Sequence, residues 1–355
     1  MNRRDADHFT GCLIGGAIGD ALGAPVEFMS LGQIRSRFGP DGVTDFAEAY
    51  GRLGAITDDT QMTLFTAEGL LRGHSRQRET GTASTVEAMH RAYLRWLKTQ
   101  GMASRHPAFA DATRRDDNGW LLGLRALHTR RAPGNTCLSA LCSAEMGTIE
   151  RPLNDSNGCG GVMRIAPVGL FFNEPAEAFD VASEVAAITH GHPSGYLSAG
   201  CFAAIIAGVI AGQPLAEATR ESVRILKDKP EHGECLAALE AALDLASSRS
   251  PSPEVVESMG DGWVGEEALA ISVYCALSCQ DDYAKGVLLA VNHSGDSDST
   301  GAIAGNILGA LLGESAVPSG WLTHLELRET TAVLALDLLV RYKDDDAWLG
   351  RYPRC

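Results

Sequence analysis

The sequence predicts an all-α protein, a compact single-domain, multi-helix orthogonal bundle spanning 1–355 with its core over about 11–345. Three observations lead there. Apolar residues recur at helical spacing through most of the chain, and sustained two-residue alternation is nearly absent. Two clusters of acidic and hydroxyl residues also stand at opposite ends of the polypeptide. If they share one site, the ends must fold together into one domain.

The elements follow in order. Residues 11–22 read as a helix of small residues, and 60–71 as an apolar-faced helix capped by Asp58 and Asp59. Over 85–98, Val86, Met89, Tyr93 and Leu97 fall on one face. Further helices fit 119–127, 176–190, 198–210, 215–226, 233–247, 265–277, 283–292, 301–312 and 329–341. Residues 162–168 suit a buried irregular segment better than a central strand, because Arg164 and Pro167 interrupt them. Gly15, Gly19 and Gly23 are spaced by four, as are Gly301, Gly305, Gly309 and Gly313. Residues four apart form one ridge, so each helix would offer a groove for close backbone approach. A mid-helix glycine costs about 0.5–1 kcal/mol relative to alanine, so the pattern predicts that these two helices cross tightly; separate packing of each on other neighbours is the alternative.

Composition narrows the class. Hydrophobic content of 45% and charged content of 21% are those of a globular protein, and the chain is long enough for a large core. The net charge of -15 argues against nucleic-acid and anionic-membrane surfaces, which need basic stripes. The glycine-broken start, carrying Asp20, lacks a signal-peptide core, and the apolar run 199–212 suits a buried helix better than a membrane span. The nine cysteines include no CxxC pair; Cys137/Cys142 and Cys275/Cys279 sit at helical spacings. They read as reduced core thiols of a cytoplasmic protein. The stretch 247–253 is linker-like but too short to divide the chain, and the closed pattern allows a monomer.

The chemistry concentrates in Asn292-His293-Ser294-Gly295-Asp296-Ser297-Asp298-Ser299-Thr300-Gly301 and in Thr57-Asp58-Asp59-Thr60. Helix capping accounts for one or two of these oxygens. Four carboxylates brought together repel unless cations lie among them. Four acids with two hydroxyls can hold two divalent ions, and the lack of His or Cys in either cluster favours Mg²⁺ or Mn²⁺ over Zn²⁺. Paired metals can clamp substrate oxygens and activate water. The expected architecture therefore has a central binuclear metal cleft.

At these residues a resemblance becomes specific. GCLIGGAIGDALGAPVEF, ITDDTQMTLFTAEGLL, GCGGVMRIAPVGL, ITHGHPSGY and HSGDSDSTGAIAGNILGALLG resemble, in order, the signature segments of the ADP-ribosylglycohydrolase family. The resemblance implies an all-α fold, two Mg²⁺ or Mn²⁺ ions, and cleavage of the bond between ADP-ribose C1″ and an acceptor side chain. By position, Thr57, Asp58, Asp59, Asp296, Asp298 and Ser299 match the family's metal ligands, with Ser299 where many members have Thr. Asp298 therefore serves both the metal centre and catalysis. Thr300 then braces or caps. Glu27 matches a glutamate near the scissile bond, with an ion pair or helix-end charge as its plainer role. Either Glu27 or Asp59 can act as base or proton carrier.

The resemblance also lines the diphosphate with Ser156, Asn157, Gly158 and Gly160, whose loop exposes backbone N–H groups without lysines. Cys159 stands where some members have Asn, which removes a polar contact. Arg164 either binds phosphate or, preferably, braces the loop through its carbonyls. His190 and His192 end a helix; His190 resembles a family histidine near ADP-ribose, or else it caps. Trp263 stacks on adenine, closes the cleft or packs in the core. Glu266 and Glu267 read as first-turn helix charges, and His293 as a brace for a ligand.

The resulting expectation is a hydrolase acting on an ADP-ribosylated protein, most readily at arginine, with ADP-ribose as product. The alternatives are another linkage (serine, nucleobase or small molecule) and a non-catalytic ADP-ribose-binding or structural relative. All four aspartates are present, which disfavours the last.

Overall fold

Gly11, Gly15 and Gly19 face Gly309, Gly305 and Gly301 across an antiparallel pair of helices, Ala6–Gly23 and Ser297–Leu312, in the computed structural model of the protein. A Cβ on Gly19 would strike the Gly301 carbonyl oxygen, and one on Gly305 or Gly309 would strike the carbonyl of Gly15 or Gly11. The predicted tight crossing is therefore present, with backbone against backbone. Two side chains pin it: Asn306 Nδ2 donates to the Cys12 carbonyl at 2.7 Å, and the Tyr283 hydroxyl to that of Gly15 at 2.7 Å. At its far end Gly23 packs against the backbone of Ser297 and Asp298. The first helix thus delivers the segment after it to the start of the C-terminal one.

The structure describes residues 2–114 and 119–353. They form 18 α-helices and four short 3₁₀ turns, and among the described residues the only β-pairing is two isolated bridges. The buried apolar residues make one continuous core that runs from Phe9 to Tyr352. One helix, Pro193–Ile210, is long and apolar enough to cross a membrane, and 94% of it is buried inside the protein. Apolar on every face, it suits the core position expected of it.

Several boundaries depart from expectation. The expected helix at 119–127 is instead two 3₁₀ turns, Leu121–Gly123 and Arg125–Leu127, with Leu124 extended between them. Gly119 sits at φ +66° and Gly123 adds a second weak point, leaving too few residues to nucleate an α-helix. The helix read as ending at His190 stops at Ala187, and the next begins at Pro193. Proline at its first position and the His192 side chain, accepting from Ser194 N at 3.2 Å, start that helix five residues earlier than 198. Residues 162–168 are buried and not strand, as expected, although Ala166–Phe171 is a short helix.

Candidate functional site

The site is built by three junctions with the glycine-paired helices. Asp20, fully buried on the first helix, accepts from Thr57 N at 3.0 Å and Thr60 N at 3.1 Å, and from the Thr60 hydroxyl. That carboxylate fastens the start of the Asp58–Thr80 helix, where Thr57 is the N-cap and its Oγ1 accepts from Asp59 N. The segment after the first helix is tied next: Phe28 N donates to Gly295 O, and Gly295 N to Met29 O at 3.3 Å. Gly295 lies at φ +108° with Asp261 packed where a Cβ would stand, so this position requires glycine. Finally, Thr300 Oγ1 pairs with His293 Nε2 at 2.8 Å and donates to the Asp296 carbonyl at 2.9 Å. His293 is the brace expected of it.

These ties bring Glu27, Asp58, Asp59, Asp296, Asp298 and Ser299 to the floor of a cleft of about 600 Å³. One carboxylate oxygen from each of Glu27, Asp296 and Asp298 lies within 4.8 Å of the others. Asp58 Oδ2 accepts from Gly134 N at 3.4 Å, and Asp298 Oδ1 from Ser299 N at 3.0 Å. Glu27 Oε2 and Asp59 Oδ2 are buried with no hydrogen-bond partner among the described residues. Thr57 is fully buried and stands behind the lining.

The electrostatics are lopsided. Among the described residues no salt bridge reaches any of these carboxylates. Burial first, then the charges of Asp298, Asp296 and Asp58, pushes Glu27 up to about 11. Burial and the Asp298 charge likewise raise Asp58, Asp59 and Asp296 well above the usual carboxylate range, and Asp20 to about 7. Such a group stays ionised at neutral pH when a cation supplies the missing charge. The orphaned oxygens and the oxygen-rich donor set fit a hard divalent ion.

The cleft walls come from Ala132 to Leu138 and from Gly158, Cys159 and Gly160. Ser156 and Asn157 do not line it: Ser156 Oγ accepts from Gly158 N at 3.3 Å, and Asn157 donates to Glu266 at 3.5 Å. Ser156 Oγ also lies 3.1 Å from the hydroxyl of Thr136, a residue that does line the cleft. His190 does line the cleft, with Nδ1 against Thr189 Oγ1 at 2.9 Å; burial, then Arg164, drives its pKa down to about 3 and keeps it neutral. Arg164 braces as preferred, but through side chains rather than carbonyls. Its Nη2 donates to Thr189 Oγ1 at 2.7 Å, and its guanidinium lies 4.3 Å from the Tyr93 ring centre. Trp263 is not a core residue. It is 38% exposed at the mouth and stacks on Phe28, itself 68% exposed, at 5.3 Å and 19°. Glu266 and Glu267 do sit in a first helical turn, and Glu267 also holds the preceding bend by accepting from Asp261 N and Gly262 N.

Sequence reasoning passed over Asp20, noting it only as a charge within the apolar N-terminus. An acid in the stretch Leu13–Gly23, otherwise made of glycine and aliphatic residues, is a signal, since unpaired acids are seldom fully buried.

Fold and site define a helical protein with an oxygen-donor centre at the base of a ligand-sized cleft. The chain belongs to the ADP-ribosylglycohydrolase family, whose model matches residues 1–347. It is 26% identical to the ADP-ribosyl-[dinitrogen reductase] glycohydrolase of Rhodospirillum rubrum, over 93% of this chain and 96% of that one. It is 25% identical to the ADP-ribosylhydrolase ARH3 of Mus musculus, over 94% and 92% of the two chains. The ADP-ribosylarginine hydrolase Tri1 of Pseudomonas putida is 24% identical, over 94% of this chain and 78% of that one. Among solved structures, an ADP-ribosylglycohydrolase-related protein complex matches with a TM-score of 0.66 at 25% identity, covering 96% of this chain and 99% of the other.

Proposed function

We infer that this protein hydrolyses the N-glycosidic bond between ADP-ribose and a modified arginine side chain, releasing ADP-ribose and restoring the arginine. The observation that carries this reading is the meeting of Asp58 and Asp59 with Asp296, Asp298 and Glu27 beneath one cleft. The name of the P. putida relative supports the arginine linkage, and that of the R. rubrum relative supports release of ADP-ribose from a protein. Two Mg²⁺ or Mn²⁺ ions held by Thr57, Asp58, Asp59, Asp296, Asp298 and Ser299 would supply charge neutralisation, a grip on the ribose hydroxyls and a more acidic water. Thr57 would contribute through a small shift from its capping position.

The chain's own residues do the rest. In the Gly158–Gly160 turn the Gly158 and Cys159 amides already donate to Ser156 Oγ and Trp263 O, so the Gly160 amide is the one that donates to the diphosphate, without a cationic side chain. Neutral His190 beside that turn hydrogen-bonds without adding charge. The Phe28–Trp263 pair gives a planar apolar rim over which an adenine or a guanidinium can lie. Glu27 receives the proton of the attacking water as oxygen bonds to C1″. The C1″–N bond breaks with its electron pair on the guanidine nitrogen, and the proton taken up by Glu27 passes to that strong base, which leaves as guanidinium and regenerates the carboxylate. Eight free cysteines among the described residues suit the reducing cytoplasm, where a monomer would act.

Incubation with ADP-ribosyl-arginine and ADP-ribosyl-serine, each with Mg²⁺, Mn²⁺ or EDTA, tests the reading. Metal-dependent release from arginine is expected. Release undiminished in EDTA would overturn the metal role, and release from serine alone would move the protein to the alternative of another ADP-ribose linkage.

A further inference from the structure

Arg72 and Arg76 stand one turn apart on the Asp58–Thr80 helix, and Arg91 and Arg95 one turn apart on the Thr85–Thr99 helix, which packs antiparallel to it. Glycine brings the two helices close: a Cβ on Gly73 would meet that of Ala88 at 2.9 Å, and one on Gly69 that of Ala92 at 3.1 Å. All four arginines line one cavity of about 250 Å³, bordered by both helices and the turn that joins them. Arg72 and Arg95 are buried and bonded to Glu68 beneath it, at 3.4 Å and 2.8 Å. Arg76 is exposed and Arg91 half-buried, and among the described residues neither forms a salt bridge. Ser84, the cap of the second helix, lines the same space and turns the positive end of that helix toward it. Among the described residues the lining holds one acid, Glu87. Like charges one turn apart destabilise a helix, and here two such pairs face each other in a chain whose net charge is -15.

We propose that this cavity is a binding site for a small oxyanion of the phosphate or diphosphate class, gripped by Arg76 and Arg91 and held by the buried charges of Arg72 and Arg95. The planar guanidinium fork meets phosphate oxygens two at a time, which makes arginine the residue suited to such a ligand. An anion bridging the two helices offsets the repulsion within both pairs. The cavity is smaller than the roughly 300–1,000 Å³ of sites for larger ligands, so it suits a phosphate group and not a whole ADP-ribose. Among the described residues it shares none of its lining with the cleft. At about 1.5 Å per residue, Arg72 and Arg76 lie about 21 and 27 Å along their helix from Asp58. This is therefore a second site, and the proposal stands whichever linkage the cleft hydrolyses.

The test titrates the full chain with inorganic phosphate at constant ionic strength, read by calorimetry and thermal melts. EDTA is kept present so that no metal draws the anion to the acidic cleft. The wild type should bind about one equivalent and melt higher as phosphate rises. Arg76→Gln and Arg91→Gln should each bind phosphate at least about tenfold more weakly, because each loses a charge-assisted contact. Both variants keep the Glu68 pairs, so without phosphate they should melt about as high as the wild type. Their metal-dependent release of ADP-ribose should stay within about twofold of wild type, as expected of a site remote from the cleft. AMP, run alongside, tells the sources apart: displacement of phosphate by AMP assigns the site to a phosphate ester, and its failure assigns it to the free anion. Either result supports an oxyanion site. The proposal falls if phosphate neither binds the wild type nor raises its melting temperature. It falls equally if all three proteins bind phosphate alike, which would put the anion elsewhere, as at the Gly160 amide of the cleft.

Discussion

The molecule buries two kinds of carboxylate, and they differ in what stands beside them. Glu68 is fully buried and bonded to Arg95 at 2.8 Å and Arg72 at 3.4 Å. Glu326 is gripped by Arg131 and reached by Arg52 at 2.9 Å, and Asp337 by Arg351 at 2.9 Å. In the cleft, Asp58, Asp59, Asp296 and Asp298 are as deeply buried, and among the described residues no salt bridge reaches them. The first kind completes its electrostatics within the chain. The second leaves it to something from outside, and that separates a structural acid from one kept for ligand binding.

The comparison can be broken by exchanging what each kind loses. Asp298→Asn should lower hydrolysis by on the order of 100-fold or more, since even partners behind a metal's ligands cost 10–100-fold. Its fold should persist, and the metal-free variant should melt no lower than the metal-free wild type, because a repelling charge is gone. Kinetics and calorimetry together check this; a fully active variant would remove Asp298 from the centre. Glu68→Ala should do the reverse, costing about 3–5 kcal/mol by stranding buried arginines. Denaturant melts would show that loss, while ADP-ribose release per folded molecule stays close to wild type.

A smaller effect sharpens the contrast. Saturating Mg²⁺ or Mn²⁺ should stabilise the wild type by about 2.7 kcal/mol at 100 times Kd, and Asp298→Asn by much less. The pH dependence has a definite sign. Asp20 is raised to about 7 by burial and the Asp298 charge, from about 3.9 unfolded. Its protonated form therefore favours the fold below about pH 4, and that contribution fades as pH rises through 7. Melting temperatures with and without metal should diverge as pH increases from 5 to 7.5, because cations offset the growing repulsion. A gap that narrows would contradict this picture. Smallest of all, Trp263→Ala should weaken substrate binding by a few-fold, raising KM more than it lowers kcat, as its rim position and partial exposure allow.

Much of this was legible from residues alone. The two acidic segments announced a shared site because their oxygen density exceeds what capping needs, and the fourfold glycine spacing announced a backbone crossing. The rest depended on contacts that spacing does not encode. Asp20 looks like an interruption of an apolar helix until Thr57 and Thr60 are seen donating to it. The apolar spacing of 176–190 gives no sign of a stop before His190; the helix nevertheless ends at Ala187, and the His192-Pro193 start of the next one follows within a few residues. Ser156 and Asn157 adjoin the cleft-lining Gly158 and Cys159 without lining the cleft themselves, since a glycine-rich bend does not declare which of its residues meet the cavity.

The antiparallel glycine crossing has a consequence for how the protein is made. Cys12 must wait for Asn306, 294 positions later, before its carbonyl finds its partner. Contacts of such range are late and slow to form, so a nascent chain emerges with a narrow small-residue furrow and no companion to fill it. Truncation between TDDT and Asp296 would leave a polypeptide with the first acidic segment and without the second, so the floor of the cleft is completed only once the later glycine-rich helix has been made.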